Sequence, residues 1–81
     1  MNTREDELLS EIIEVVASIS EVESKLITID GLLQNWGVDS MKGLEIMYAL
    51  EKKYKVHMQE QDLLQMKTVK SIYDLIKKKL S

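Results

Sequence analysis

Apolar residues recur at spacings of three and four near the start of the chain, where Leu8, Leu9, Ile12, Ile13, Val16 and Ile19 form one stripe. Glu7, Glu11, Glu14, Ser18 and Glu21 fall largely off it, as the solvated face of an amphipathic helix does. The spacing predicts a helix from Thr3 to Ser20, with Thr3 as its N-cap and acids in its first turn, facing the positive end of the helix dipole. The period then breaks. Between residues 20 and 39, Ser20, Ser24, Thr28, Asp30, Gly31, Asn35 and Gly37 separate short apolar pieces: Leu26-Ile27, Leu32-Leu33, and Trp36 with Val38. A connection of that length in a small domain either has a function or packs its own side chains. The apolar pieces predict a loop pinned across the core, with a short helical turn between Leu32 and Trp36 and Trp36 as its anchor.

The helical period returns at Ser40 or Met41 and reaches Tyr54. Leu44, Met47, Leu50 and Tyr54 lie on the stripe, and Ile46 and Ala49 widen it. Gly43 costs about 1 kcal/mol relative to alanine in a helix interior. In the first turn the cost is smaller, and a glycine there admits close approach by a partner. Val56 and Met58 read as a short extended link. A brief helix from Glu60 to Met66 is expected to bury Leu63, Leu64 and Met66. Thr68 reads as the N-cap of a last helix carrying Val69, Ile72, Tyr73, Ile76 and Leu80, with Lys77, Lys78 and Lys79 at its negative end. Proline is absent and glycine occurs only three times, which suits helices throughout. The expected fold is all-α: a small four-helix bundle of three main helices and one short one, with a long loop between the first two, forming a single domain over residues 1–81.

Composition narrows the function more by exclusion than by indication. A chain of 81 residues buries only roughly 60% of its unfolded surface, so a deep pocket with a full catalytic apparatus is not expected. Without cysteine there are no disulfides and no thiolate metal sites. The single histidine, His57, leaves no zinc ligand set and reads as a surface or half-buried side chain, so no metal is expected. No nucleophile–base pair can be assembled, which argues against an enzyme. The N-terminus turns acidic at once and no apolar run is long enough to span a bilayer, so a cytoplasmic protein with no membrane partner is expected. The start at Met1 and the short tails favour a discrete protein, expected to be a monomer. The net charge of −3 is uneven: residues 1–38 sum to −6 and residues 39–81 to +3. The basic half lacks the aromatic interleaving and the motifs of nucleic-acid readers, so nucleic acid is not an expected partner.

The stretch with chemical content is Trp36-Gly37-Val38-Asp39-Ser40-Met41, which opens the second long helix. Asp39 and Ser40 are both capping residue types, and a serine there can be a cap and nothing more. It can also present an exposed hydroxyl where a phosphate ester would be stabilised, by about 0.3–1 kcal/mol, through free backbone N–H groups and the helix dipole.

Gly37-Val38-Asp39-Ser40-Met41 resembles the Gly-x-Asp-Ser-Leu signature of the acyl carrier protein family, with Met41 in place of leucine. Leu44-Glu45-Ile46-Met47-Tyr48-Ala49-Leu50-Glu51 is similar to the family's second helix, Lys55-Val56-His57-Met58 to its linking segment, and Leu64-Gln65-Met66-Lys67-Thr68-Val69 to the run entering its last helix. The resemblance covers nearly the whole chain. It implies that Ser40 takes a 4′-phosphopantetheine arm from coenzyme A by the action of a separate, Mg²⁺-dependent phosphopantetheinyl transferase. The arm's thiol would then carry acyl groups as thioesters, and Asp39 would assist the transferase reaction. It implies further that Met41, Leu44, Glu45, Met47 and Tyr48 meet partner enzymes, such as an acyltransferase, a ketosynthase or other acyl-processing enzymes. The carrier does no chemistry itself; tethering raises the effective concentration of the cargo at each partner. Met47, Leu50, Met58, Met66, Val69 and Ile72 read first as core. Because methionine adapts its shape, the same core could open around a short acyl chain, as the family's does.

Two departures from the family bear on the pathway. Trp36 stands where leucine is common. From Asp39 to Lys55, Lys42, Lys52, Lys53 and Lys55 outweigh Asp39, Glu45 and Glu51, a sum of +1, where carriers of the primary fatty-acid pathway are strongly acidic. Charge complementarity chiefly sets specificity and on-rate. Partners are therefore expected to be less basic than a housekeeping set, or to rely on Met41, Leu44 and Tyr48. That favours a specialised carrier, for polyketide or hybrid polyketide–peptide synthesis. A fatty-acid carrier, an aminoacyl or peptidyl carrier, and an unmodified helical interaction module are the alternatives.

Overall fold

Helices form where the helical period runs. In a computed structural model describing residues 3–81, with side chains from Glu7 onward, α1 spans Thr3–Ser20, α2 Ser40–Tyr54, α3 Glu60–Leu63 and α4 Val69–Leu80. The cap expected at Thr3 lies outside the described side chains. Two short 3₁₀ turns, Ser24–Leu26 and Leu33–Trp36, sit in the long connection between α1 and α2. The described residues contain no strand, only an isolated antiparallel bridge between Leu32 and Thr68. The architecture is the all-α bundle that the sequence pattern predicts, and no described helix is long and apolar enough to cross a membrane.

The core draws on every long element. α1 supplies Ile12, Val16 and Ala17, α2 supplies Ile46, Met47 and Leu50, and α4 supplies Val69, Ile72, Leu75 and Ile76. α1 packs against both α2 and α4. Leu75, one turn before the end of α4, is buried, while Leu80 ends the helix past the core and stays exposed. The long connection is pinned, as its apolar pieces predict: Ile27 and Leu33 are buried. Its backbone is held at the start of α4, where the Leu33 N–H donates to the Lys67 carbonyl at 2.9 Å and the Lys70 N–H to the Ile29 carbonyl at 3.0 Å. A Cβ on Gly31 would lie 2.5 Å from a ring carbon of Trp36. Trp36 thus folds back over a position that only glycine can occupy, and is half-buried against the core.

The connections that follow α1 and α2 both begin with a left-handed residue other than glycine. Glu21 (φ 59°) lets the Val22 N–H reach the Ala17 carbonyl at 3.1 Å, and Lys55 (φ 54°) lets the Val56 N–H reach the Glu51 carbonyl at 3.3 Å. These are Schellman-type closures, which satisfy carbonyls that the helix leaves without partners. Two bonds tie α1 to α2. Lys42 Nζ donates to the Ile19 carbonyl at 3.1 Å, and the Tyr54 hydroxyl donates to Glu11 Oε1 at 2.7 Å. Burial, and then the bond to Glu11, push the Tyr54 phenol above its ordinary range.

The short helix departs from expectation. α3 is a single turn ending at Leu63, and Leu64 is 74% exposed rather than buried. Leu63 and Met66 are three residues apart and share the inward face, whereas Leu64 sits a third of a turn round and points to solvent. The side chain buried instead is Asp62. It accepts from the Gln59 N–H at 2.9 Å and pairs with Lys79 Nζ at 3.1 Å, fastening α3 to the end of α4. The Gln59 N–H first, and then Lys79, hold its carboxyl below the ordinary carboxylate range against the opposing effect of burial. A depressed folded value means that this stabilisation is present above the unfolded pKa of about 3.9 and is lost as pH falls through the folded one. Asp62→Asn is therefore expected to lower stability at neutral pH by about 1–3 kcal/mol and to flatten the loss of stability below about pH 4. Urea titrations at pH 3 and pH 7 read both. Parallel pH profiles for the two proteins would show that the pair does not contribute.

Candidate functional site

The approach to α2 is built residue by residue. Gly37 ends the Leu33–Trp36 turn at φ 79°, with its N–H on the Gln34 carbonyl at 3.1 Å. An added Cβ there would meet nothing within 4 Å, so the left-handed backbone, not crowding, favours glycine. Asp39 is extended and caps α2: its Oδ1 accepts from the Lys42 N–H at 2.9 Å and its carbonyl from the Gly43 N–H at 2.8 Å. Of the two capping candidates, then, Asp39 supplies the oxygen, and Ser40 is the first residue within the helix. Ser40 is exposed, and its hydroxyl is not drawn into the cap. It stands at the positive end of a 15-residue helix, where an attached phosphate is favoured.

Ser40 and Asp39 also line a groove of about 460 Å³. Its walls are apolar, from Leu33 and Val38 of the connection, Gly43 of α2, and Leu63 and Met66 at the end of α3. Gln34 and Lys67 add polar groups. Leu32 and Leu64, 43% and 74% exposed, line it as well. A Cβ on Gly43 would lie 3.1 Å from Leu63 Cδ1, so the close approach that this glycine admits is internal, by α3. The periodic pattern links none of residues 32–38 to residues 63–67. They meet because the connection crosses to the start of α4, and the only hint was that both segments hold apolar residues outside a long helix.

On α2, Met41 and Tyr48 are 73% and 59% exposed, Glu45 is exposed and Leu44 half-buried. Their spacing of three and four puts all four on one outward face. Met47 does not belong there. It is 3% exposed and packs with Ile46 and Leu50 in the core, so its reading as a core residue holds and the expectation that partners meet it is corrected. The summed charge of α2 also misdescribes this surface. Lys42 turns inward onto the end of α1. Lys52, Lys53 and Lys55 lie at the far end, about 18 Å or more along the axis, and Glu51 accepts from the Met58 N–H at 3.1 Å. The part of α2 nearest Ser40 presents an apolar face with Glu45 and Asp39, while Lys67 lines the same groove as Ser40.

Leu50, Met58, Met66 and Ile72 are all buried in the core, at 0%, 4%, 7% and 0% exposure. Only Met66 also reaches the groove. His57 is exposed. The donor set at Ser40 fits a phosphate-linked arm: an accessible hydroxyl, a helix N-terminus, and an adjoining groove lined by both apolar and polar side chains.

Comparison with known proteins agrees with this geometry. The sequence profile described as a phosphopantetheine attachment site matches residues 10–76. An acyl carrier protein of Treponema pallidum is 31% identical over 77 residues, 94% of this chain and 99% of its own length. One of Treponema denticola is 29% identical over 73 residues, 89% and 94% of the two chains. A non-reducing polyketide synthase of Emericella nidulans is 29% identical over 75 residues, 93% of this chain; the chain spans only 3% of that protein's length.

Proposed function

The chain belongs to the acyl carrier protein family, whose members bear phosphopantetheine and carry acyl groups rather than catalyse, and from that premise we propose that Ser40 is the residue that holds the arm. The carrying observation is that Asp39, not Ser40, caps α2, which leaves an exposed serine hydroxyl at the helix N-terminus beside an apolar groove. In the transfer, the Ser40 oxygen forms a bond to the phosphorus of coenzyme A nearest the pantetheine. Adenosine 3′,5′-bisphosphate leaves, and the hydroxyl proton passes to the transferase. Asp39 keeps its carboxylate on the Lys42 N–H, so the first turn stays formed while the hydroxyl is presented. Residues 1–81 act as one carrier unit.

For the pathway, we assign the chain to specialised synthesis of the polyketide or polyketide–peptide type. The support is the exposed face of Met41, Leu44 and Tyr48 with few acids near it, which suits partners that dock by apolar contact. A polyketide synthase among the relatives is consistent with this. A fatty-acid carrier would instead be served equally well by housekeeping fatty-acid enzymes, and an aminoacyl carrier would be charged by an amino-acid-activating enzyme. Comparing turnover with each set separates them, and equal turnover with the housekeeping set sinks the assignment.

The attachment itself is tested by incubating the chain with coenzyme A and a broad-specificity phosphopantetheinyl transferase. Intact mass is expected to rise by one phosphopantetheine, and peptide mapping to locate it on Ser40. No added mass would favour an unmodified helical interaction module, and an arm on any of the other six serines would refute the site.

A further inference from the structure

We infer, resting on Ser40 as the attachment residue, that Lys67 is the cation that pairs with the phosphodiester of the arm and so sets the direction in which the arm leaves the protein.

Attachment brings a negative charge to the head of α2, because a phosphodiester stays ionised at neutral pH. Carboxylates already stand there: Asp39 caps the helix, and Glu45 is exposed on the same stretch. The positive end of the helix offsets part of that charge, but the N–H groups of Lys42 and Gly43 already bond Asp39. Lys42, the cation nearest in sequence, is committed as well, with its Nζ on the Ile19 carbonyl at 3.1 Å. Among the described residues that line the groove with Ser40, Lys67 alone carries a positive charge.

The fold fixes where that charge stands. Lys67 precedes Thr68, the N-cap of α4, and its backbone is held on both sides. Its N–H donates to Ser71 Oγ at 3.1 Å, and its carbonyl accepts from the Leu33 N–H at 2.9 Å. The second bond comes from the connection that leads into Ser40, so the two residues share a frame that depends on neither side chain. The Lys67 side chain is exposed, and among the described residues no carboxylate pairs with its ammonium. A cation so placed gives up no existing partner by turning onto a phosphate oxygen, and lysine serves such groups as a point charge. Lys70, three residues on, is also exposed but does not line the groove. Pairing at Lys67 draws the first atoms of the arm toward the start of α4. Met41, Leu44 and Tyr48, none of which lines the groove, then stay clear for a partner.

The test uses the intact chain with and without the arm, and begins with intact mass and peptide mapping. An arm absent from Ser40 refutes the attachment and the pairing together; every later result bears on the pairing alone. With the arm on Ser40, an amine-acetylating reagent is expected to modify Lys67 roughly 1.5–5-fold more slowly than in the unmodified chain, matching the usual strength of an exposed ion pair. That protection should vanish in about 1 M salt, where the screening length falls to about 3 Å. Lys70 should react equally in both forms. The phosphorus resonance of the arm should move with added salt in the unaltered chain and in Lys67→Arg, and stay nearly fixed in Lys67→Gln. Lys70→Gln, which removes the same charge, should behave as the unaltered chain does. Equal acetylation of Lys67 with and without the arm overturns the inference. So does protection that persists in high salt, which is steric cover by the arm. A phosphorus resonance altered as much by Lys70→Gln as by Lys67→Gln overturns it too, since the general field of the lysines then accounts for the effect.

Discussion

Ser40→Ala is expected to lose the phosphopantetheine arm completely and to keep its fold. The loss is all-or-none because alanine has no oxygen to bond to phosphorus. The retained fold follows from the division of labour at the start of α2. Asp39 makes the capping bond to the Lys42 N–H at 2.9 Å, and Ser40 is an exposed first-turn residue. Surface changes of this kind are usually within about 0.5 kcal/mol, here a shift in Tm of no more than about 4 °C, and alanine is the better helix former. Asp39→Ala gives the contrast. It removes the cap, costs about 1 kcal/mol and lowers Tm by about 4–8 °C, while the hydroxyl remains. Intact mass and thermal unfolding of the two variants read the arm and the fold separately. An arm still present on Ser40→Ala, or a large fall in its Tm, would contradict the roles given to these neighbours.

Leu50→Ala is expected to be the most damaging single truncation. Leu50 has no exposed surface and lies on the α2 face that meets α1 and the rest of the core. Truncating a buried leucine costs the lost transfer energy plus the cavity left behind, about 2–5 kcal/mol. At about 0.05–0.15 kcal/mol per residue, the whole domain is worth only about 4–12 kcal/mol. The variant should therefore lose a large fraction of its stability, with a urea midpoint moved far down and little change in slope. Leu64→Ala is the control, since a leucine 74% exposed should cost no more than about 0.5 kcal/mol. Similar midpoints for the two variants would contradict the assignment of one leucine to the core and the other to the surface.

The long helices were legible because each is an amphipathic period long enough to be unambiguous. Thr68 was legible as a cap because its side chain and that of Ser71 bond each other's backbone N–H groups, at 3.0 and 2.9 Å, a purely local exchange. Leu64 was not legible. One apolar residue in a run of two can face either way, and the length of α3 decides which. Met47 takes two readings, core and partner contact, and only the first fits its burial. On a helix whose stripe is widened by Ile46 and Ala49, sequence alone does not say where the buried arc ends and the partner face begins. The lysines of α2 show the same limit for charge. A count over a segment cannot tell that Lys42 points back to the Ile19 carbonyl or that the others lie about three to four turns from Ser40.

By itself, then, the sequence determined the helical plan, the placement of an Asp-Ser pair at the head of α2 and, through that motif and its spacing to Thr68, the family. These are local properties, set by period, capping chemistry and short-range order along the chain. The choice of Asp39 over Ser40 as the cap is local too, a bond to the Lys42 N–H three residues on. Tertiary structure decided that the outward face of α2 is apolar and that a groove opens beside Ser40. Each of these depends on segments distant in sequence, the α1–α2 connection, α3 and the start of α4. They are brought together by burial of Ile27 and Leu33 and by backbone bonds to Lys67 and Lys70, which no pattern in either segment encodes alone.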